Sequence, residues 1–251
     1  MHLIGVRGEF IDLSGERLYY YAAGSRGAGE PIVLVHGFPT SGHLWLDVVA
    51  KLPVGHRVIV ADLLGFGRSD CRPGSDYTTG AHGKRLLLLL DALKIDRACL
   101  VGHGTGGAVV QWVALNAPDR VTRVGLIGSS TTEGWFARDR RGARALYDLA
   151  LRLPAAVWLP ILRGAIARSY SDPERGSRSA DMYLARFIEG NGAKVLRRHL
   201  ADLTNGDIAV ISARSGEIRV PVLASKHSPW RFMPEENPSE VAAVITELLS
   251  R

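Results

Sequence analysis

The pattern of apolar and polar positions changes character several times along the chain. Residues 8–22 alternate with a period near two, which predicts a hairpin of Glu9–Leu13 and Arg17–Tyr21 turned at Ser14-Gly15. Val121–Gly128 reads as a further strand, and three runs before it are apolar throughout: Ile32–Val35, Val58–Ala61 and Cys99–Gly102. Such short, unbroken runs predict strands buried on both faces. Between them the period lengthens to that of a helix at Trp45–Leu52, closed by Pro53, at Gly80–Leu93 and at Thr105–Leu115. The leucines of Leu86–Leu90 read as the buried face of the second helix. Strand and helix alternate, so the chain predicts an α/β fold with a mostly parallel sheet and helices on both faces.

After residue 129 the strand signal stops. Helical spacing at Ala145–Leu153, Ala155–Ala167 and Met182–Ile188 predicts a helical cap, or lid, inserted after the sixth strand over the carboxyl edge of the sheet. Val220–Ala224 restores a strand. Pro238–Leu249 predicts a last helix, with Asn237 as its cap and Pro238 in its first turn. The expected division is a core of 1–130 and 218–251 and a cap of 131–217. There are no internal repeats or low-complexity linkers.

The chemistry concentrates in Leu100-Val101-Gly102-His103-Gly104-Thr105-Gly106-Gly107. Gly102 and Gly106 have the spacing of a nucleophile elbow, Gly-x-nucleophile-x-Gly, between a strand and a helix. Such a turn exposes its middle residue and aims helix amides at a reacting oxygen. Here the middle residue is Gly104, which carries no oxygen, sulfur or carboxylate. Its backbone tolerates a strained turn better than that of a residue with a Cβ.

Four segments in order carry a family resemblance: His36-Gly37-Phe38-Pro39, Asp62 to Asp70, Gly102 to Gly107, and Phe232-Met233-Pro234-Glu235-Glu236-Asn237-Pro238. Over residues 8–130 and 218–250 the chain resembles the α/β-hydrolase superfamily, in particular its epoxide hydrolase, haloalkane dehalogenase and lactonase-like members. The resemblance implies an oxyanion pocket formed by the backbone N–H groups of Phe38 and Thr105. It implies a nucleophile at position 104 and a catalytic histidine at position 231, where Arg231 stands. The family's acid follows the seventh or sixth strand. This chain has Ser225-Lys226-His227-Ser228 after the seventh, with no carboxylate. After the sixth it has Ser129-Ser130-Thr131-Thr132-Glu133, where Glu133 comes late. Too few residues separate Val220–Ala224 from Arg231 for the usual helix and eighth strand, so the last strand is expected to be lost.

His36 and His103 flank the expected pocket. Each is a candidate proton shuttle or a structural imidazole bonded to backbone. Ser129 is a candidate polar contact and Arg231 a contact for an anionic or carbonyl group. Trp135, Trp158 and Trp230 are candidates to line an apolar pocket, or to pack the lid. Asp62 and Asp70 are expected to hold the glycine-rich loop. The expected activity is non-covalent cyclisation, isomerisation or elimination of a small apolar molecule. The alternatives are an inactive ligand-binding or interaction protein, and a residual hydrolase that uses activated water.

Composition narrows the partners. Hydrophobic residues are 46% and charged residues 22% of 251, which is ordinary for a soluble domain. The net charge of +6 is mostly arginine, scattered except for Arg138, Arg140, Arg141 and Arg144, and that cluster reads as a solvated helix face. Without a basic stripe interleaved with aromatics, nucleic acid is not an expected partner. No apolar run is long enough to span a bilayer, and the amino terminus lacks the pattern of a signal peptide. Cys71 and Cys99 have no motif spacing and read as free thiols of a reducing, cytoplasmic setting. Neither a cofactor nor a metal is expected. The expected state is a monomer or a homodimer, since a missing last strand leaves an edge able to pair.

Overall fold

The computed structural model describes residues 6–24, 29–129, 153–204, 207–225 and 232–251. Its centre is a seven-stranded sheet: β1 (Arg7–Leu13), β2 (Glu16–Ala23), β3 (Ile32–Val35), β4 (Val58–Ala61), β5 (Ala98–His103), β6 (Val121–Ile127) and β7 (Val222–Ala224). The spatial order is β1-β2-β4-β3-β5-β6-β7. β1, β2 and β4 pair antiparallel, and β4, β3, β5, β6 and β7 pair parallel. The hairpin turns where expected, with Ser14 and Gly15 both at positive φ. Two such residues give the twist that a two-residue hairpin needs. Every residue of β3, β4 and β5 is buried, as their unbroken apolar runs required.

Helices cover both faces. α2 (Thr79–Ala92) and α3 (Thr105–Asn116) pack together. α1 (Leu46–Val49) packs against the terminal helix α9 (Pro238–Leu249), and α9 against β6. Successive residues of β6 separate the layers. Gly125 faces Leu248 of α9, whereas Leu126 approaches Gly107 of α3.

The described cap consists of α4 (Ala155–Ala167), α5 (Pro173–Ile188), α6 (Gly192–Thr204) and α7 (Asp207–Ala213). α5 begins at Asp172, whose side chain accepts from the Glu174 and Arg175 amides, and Pro173 occupies the first turn. Its buried residues Gly176, Ser179, Ala180, Tyr183, Leu184 and Phe187 recur at helical spacing. The cap segment Ala145–Leu153 lies outside the described residues apart from Leu153.

Several expected elements change shape. Trp45–Leu52 is not one helix. A 3-10 turn over Gly42–Trp45 leads into the single turn α1. Asp62 explains the early start, because its Oδ1 accepts the Gly42 N–H at 2.6 Å. The strand expected from Val220 begins at Val222, since Pro221 has no N–H to donate to a ladder. Pro238 starts α9 as expected, but Asn237 gives it no side-chain cap. Its Nδ2 donates instead to Glu240 Oε2 at 2.5 Å. Among the described residues β7 is the last strand of the sheet, and no helix is long and apolar enough to cross a membrane.

Candidate functional site

β5 ends at His103, α3 begins at Thr105, and Gly104 makes the turn at φ 54°, ψ −122°. A Cβ on Gly102 would fall 2.4 Å from the Gly106 carbonyl oxygen, and one on Gly106 would fall 2.4 Å from that of His36. Both flanking glycines are therefore required by close backbone crossings. Gly104 differs. A Cβ there would meet only Gly37 Cα, at 3.9 Å, so the conformation favours glycine while the space does not demand it.

The polar groups gathered at this turn are largely bonded to one another. The Phe38 N–H donates to Thr105 Oγ1 at 2.8 Å, so the amide expected in the pocket is held by a threonine hydroxyl. The Ser129 hydroxyl donates to the Gly104 carbonyl at 2.8 Å. His36 is fully buried. Its Nε2 accepts the Leu63 N–H at 3.0 Å, and its Nδ1 stands 3.0 Å from the Gly37 carbonyl. An amide can only donate, so Nε2 bears the lone pair and Nδ1 the proton. Burial pushes the His36 pKa down to about 4. Both ring nitrogens thus meet backbone partners. His103 is 4% exposed and lies 6.2 Å, centroid to centroid, from Phe232.

Asp62 and Asp70 hold the glycine-rich loop as expected. Asp62 accepts the Gly42 and Arg68 amides, and burial pushes its pKa up to about 6. Asp70 accepts the Arg17 amide at 3.0 Å and an Arg72 guanidinium N–H at 2.7 Å. Trp158, on the cap helix α4, is buried. Trp135, Trp230 and Arg231 lie outside the described residues. Among the described residues no group of three His, Cys, Asp or Glu side chains is placed to hold a metal ion, and Cys71 and Cys99 are free thiols.

Two clusters went unread in the sequence. In the first, Glu235 of α8 (Met233–Glu236) is 5% exposed and accepts the hydroxyls of Tyr170, Ser179 and Tyr183. In the second, His82 of α2 and His199 of α6 lie parallel, with centroids 5.5 Å apart. Both are buried. Neither nitrogen of His82, nor Nε2 of His199, has a partner among the described residues. The segment around Glu235 stood out in the sequence, but nothing local announced its partners. No spacing links His82 to His199.

A family model of the α/β-hydrolase fold matches residues 30–169, and the chain belongs to that family. It is 37% identical over 121 residues to an uncharacterised protein of Mycobacterium tuberculosis, covering 48% of this chain and 34% of that protein. Over 107 residues it is 36% identical to a 2-hydroxymuconate semialdehyde hydrolase of Pseudomonas sp. strain CF600, covering 41% of this chain and 38% of that protein. The matched region thus spans only about a third of the length of these relatives. Among solved structures, the epoxide hydrolase CorEH superposes with a TM-score of 0.82 at 20% identity, over 98% of this chain and 99% of that one. That likeness is one of fold.

Proposed function

We propose that this chain binds a small unsaturated organic molecule above the β5–α3 turn and does not hydrolyse it through a covalent intermediate. The observation that carries this reading is Gly104. It stands where the family places its nucleophile, has no side chain, and leaves the space of a Cβ unfilled. The internal bonds of Phe38, Ser129 and His36 support binding over catalysis, because they use groups that a reaction would need. The name of the Pseudomonas relative points to a small unsaturated carbonyl compound as the ligand class. The unbridged Cys71 and Cys99 support a reducing, cytoplasmic setting for a monomer or homodimer that needs no cofactor.

Thr105 favours a second reading, non-covalent cyclisation, isomerisation or elimination. Its hydroxyl accepts from Phe38 and keeps its own proton to donate, beside its N–H. Two such donors on one ligand oxygen would stabilise developing negative charge, each by roughly 3 kcal/mol in favourable cases. His103, one residue before the turn, is the remaining candidate to move a proton. Trp135, Trp230 and Arg231 remain candidate ligand contacts.

The test mixes purified protein with 2-hydroxymuconate semialdehyde. Binding is followed by tryptophan quenching and turnover by the absorbance of the conjugated chromophore. The expected result is quenching with unchanged absorbance, and no mass added by a fluorophosphonate probe. An isomerised product would select the second reading. A hydrolysis product, or an adduct at the turn, would overturn both.

A further inference from the structure

We propose that Glu235 and Glu236 form a carboxylate latch that seats the cap in register with the β5–α3 turn, with Glu235 as the positioning residue. α8 is a single helical turn that ends in these two adjacent glutamates. Glu235 is buried, yet among the described residues no arginine or lysine bonds to it. A buried carboxylate with no cation has to be satisfied by several donors. All three of its donors come from the cap. Tyr170 and Ser179 hydroxyls each donate to Oε2 at 2.8 Å, and the Tyr183 hydroxyl donates to Oε1. Ser179 and Tyr183 are one turn apart on α5, so a single helix face meets the carboxylate. Glu236 adds two bonds from the same stretch of cap: its Oε1 accepts the Ser171 N–H at 2.6 Å and the Ser171 hydroxyl at 2.5 Å. Five hydrogen bonds thus run from residues 170–183 to two adjacent carboxylates, and bonds to an ionised acceptor are the stronger kind.

Burial and the neighbouring carboxylate push the Tyr170 and Tyr183 hydroxyls upward from the ordinary tyrosine range. They therefore remain donors at neutral pH, and the cluster serves to hold rather than to move a proton. Phe232, which precedes α8, carries the register onward. Its ring stacks on Tyr170 at 4.8 Å and 12°, lies near-parallel to Tyr183, and reaches within 6.2 Å of His103. The carboxylate fixes the tyrosines, the tyrosines fix Phe232, and Phe232 borders the residue before Gly104. This holds whatever molecule occupies the site.

The experiment is hydrogen exchange by mass spectrometry on the full chain and its Glu235→Ala, Glu235→Gln, Tyr183→Phe and Glu236→Gln variants, with near-UV circular dichroism alongside. Loss of the Glu235 carboxylate should speed exchange in α4 and α5 by about tenfold or more while β3 and β5 keep their rates. The tyrosine dichroism should fall with it. Tyr183→Phe should act in the same direction but less, and Glu235→Gln should restore part of the protection through its one carbonyl oxygen. If Glu235→Ala does not fold, Tyr183→Phe and Glu236→Gln carry the same comparison. Unchanged cap exchange in folded variants would overturn the latch. So would equal acceleration of cap and core, which would make Glu235 a residue of general stability.

Discussion

The β5–α3 turn and the imidazole pair beneath the cap are both buried polar regions, and they are settled in opposite ways. At the turn, the Phe38 amide, the Ser129 hydroxyl and both nitrogens of His36 are bonded internally. Between α2 and α6, His82 and His199 stack with three ring nitrogens unpartnered among the described residues. The comparison teaches where folding carries an electrostatic penalty. At the turn these groups are bonded into the scaffold. His82 and His199 are two buried imidazoles with unpaired nitrogens among the described residues, and only their neutral form is compatible with that burial.

Acid should expose that contrast most strongly. Burial, with the Arg85 charge second, pushes His82 down to about 3, and burial pushes His36 down to about 4 and His199 well below its ordinary range. The unfolded chain takes up these protons near pH 6.5 and the folded one does not. Stability is therefore present above that value and lost as pH falls, by about 3 kcal/mol each for His36 and His82 at pH 4. Asp62 works in the opposite sense. Its folded pKa of about 6 lies above its unfolded value, so the native state gains stability as pH falls from 6 towards 4, by about 2 kcal/mol. The histidines outnumber it, and urea titrations at pH 7, 5.5 and 4 should show a net loss. His82→Phe should remove much of that loss. An unchanged acid profile in this variant would show that the pair is not the sensitive element.

At the turn the larger mechanical effect belongs to Gly102→Ala. Its Cβ would meet backbone atoms of Gly106 and Gly107 at 2.4–2.5 Å, which should cost about 3 kcal/mol or prevent folding. Gly104→Ser, two residues on, should cost only about 1–2 kcal/mol, since the penalty there is conformational. This variant should not hydrolyse p-nitrophenyl acetate. Appreciable hydrolysis would mean that a working base still faces the turn. The smallest effect is expected for Thr105→Val, which leaves the Phe38 amide without its acceptor at a cost of about 1 kcal/mol. Thr105→Ser should recover that stability. If Val and Ser behave alike in thermal denaturation, the Phe38–Thr105 bond contributes nothing.

Much of the frame is legible in the sequence. Ile32–Val35 and Val58–Ala61 match their strands residue for residue, because an unbroken apolar run has few ways to hide except at the centre of a sheet. The turn register at Gly102 and Gly106 was legible for a similar reason: backbone crossings that exclude a Cβ leave a sequence mark. Elsewhere local cues failed. Asn237 carried a capping signal, but Glu240 captured its amide. The helices Gly192–Thr204 and Asp207–Ala213 carry no boundary signal of their own within the helical stretch.

By itself the sequence determined what depends on neighbours along the chain: the alternation of strands and helices, the hairpin turn, and a glycine at the centre of the strand-to-helix bend. The tertiary structure alone decided the hydrogen-bond partners of the polar groups. Thr105 meets Phe38 across 67 residues, and Tyr183 meets Glu235 across 52. The physical reason is range. Steric exclusion and hydrophobic period act within a few residues, whereas a buried donor is satisfied by whichever acceptor the packed fold brings within bonding distance.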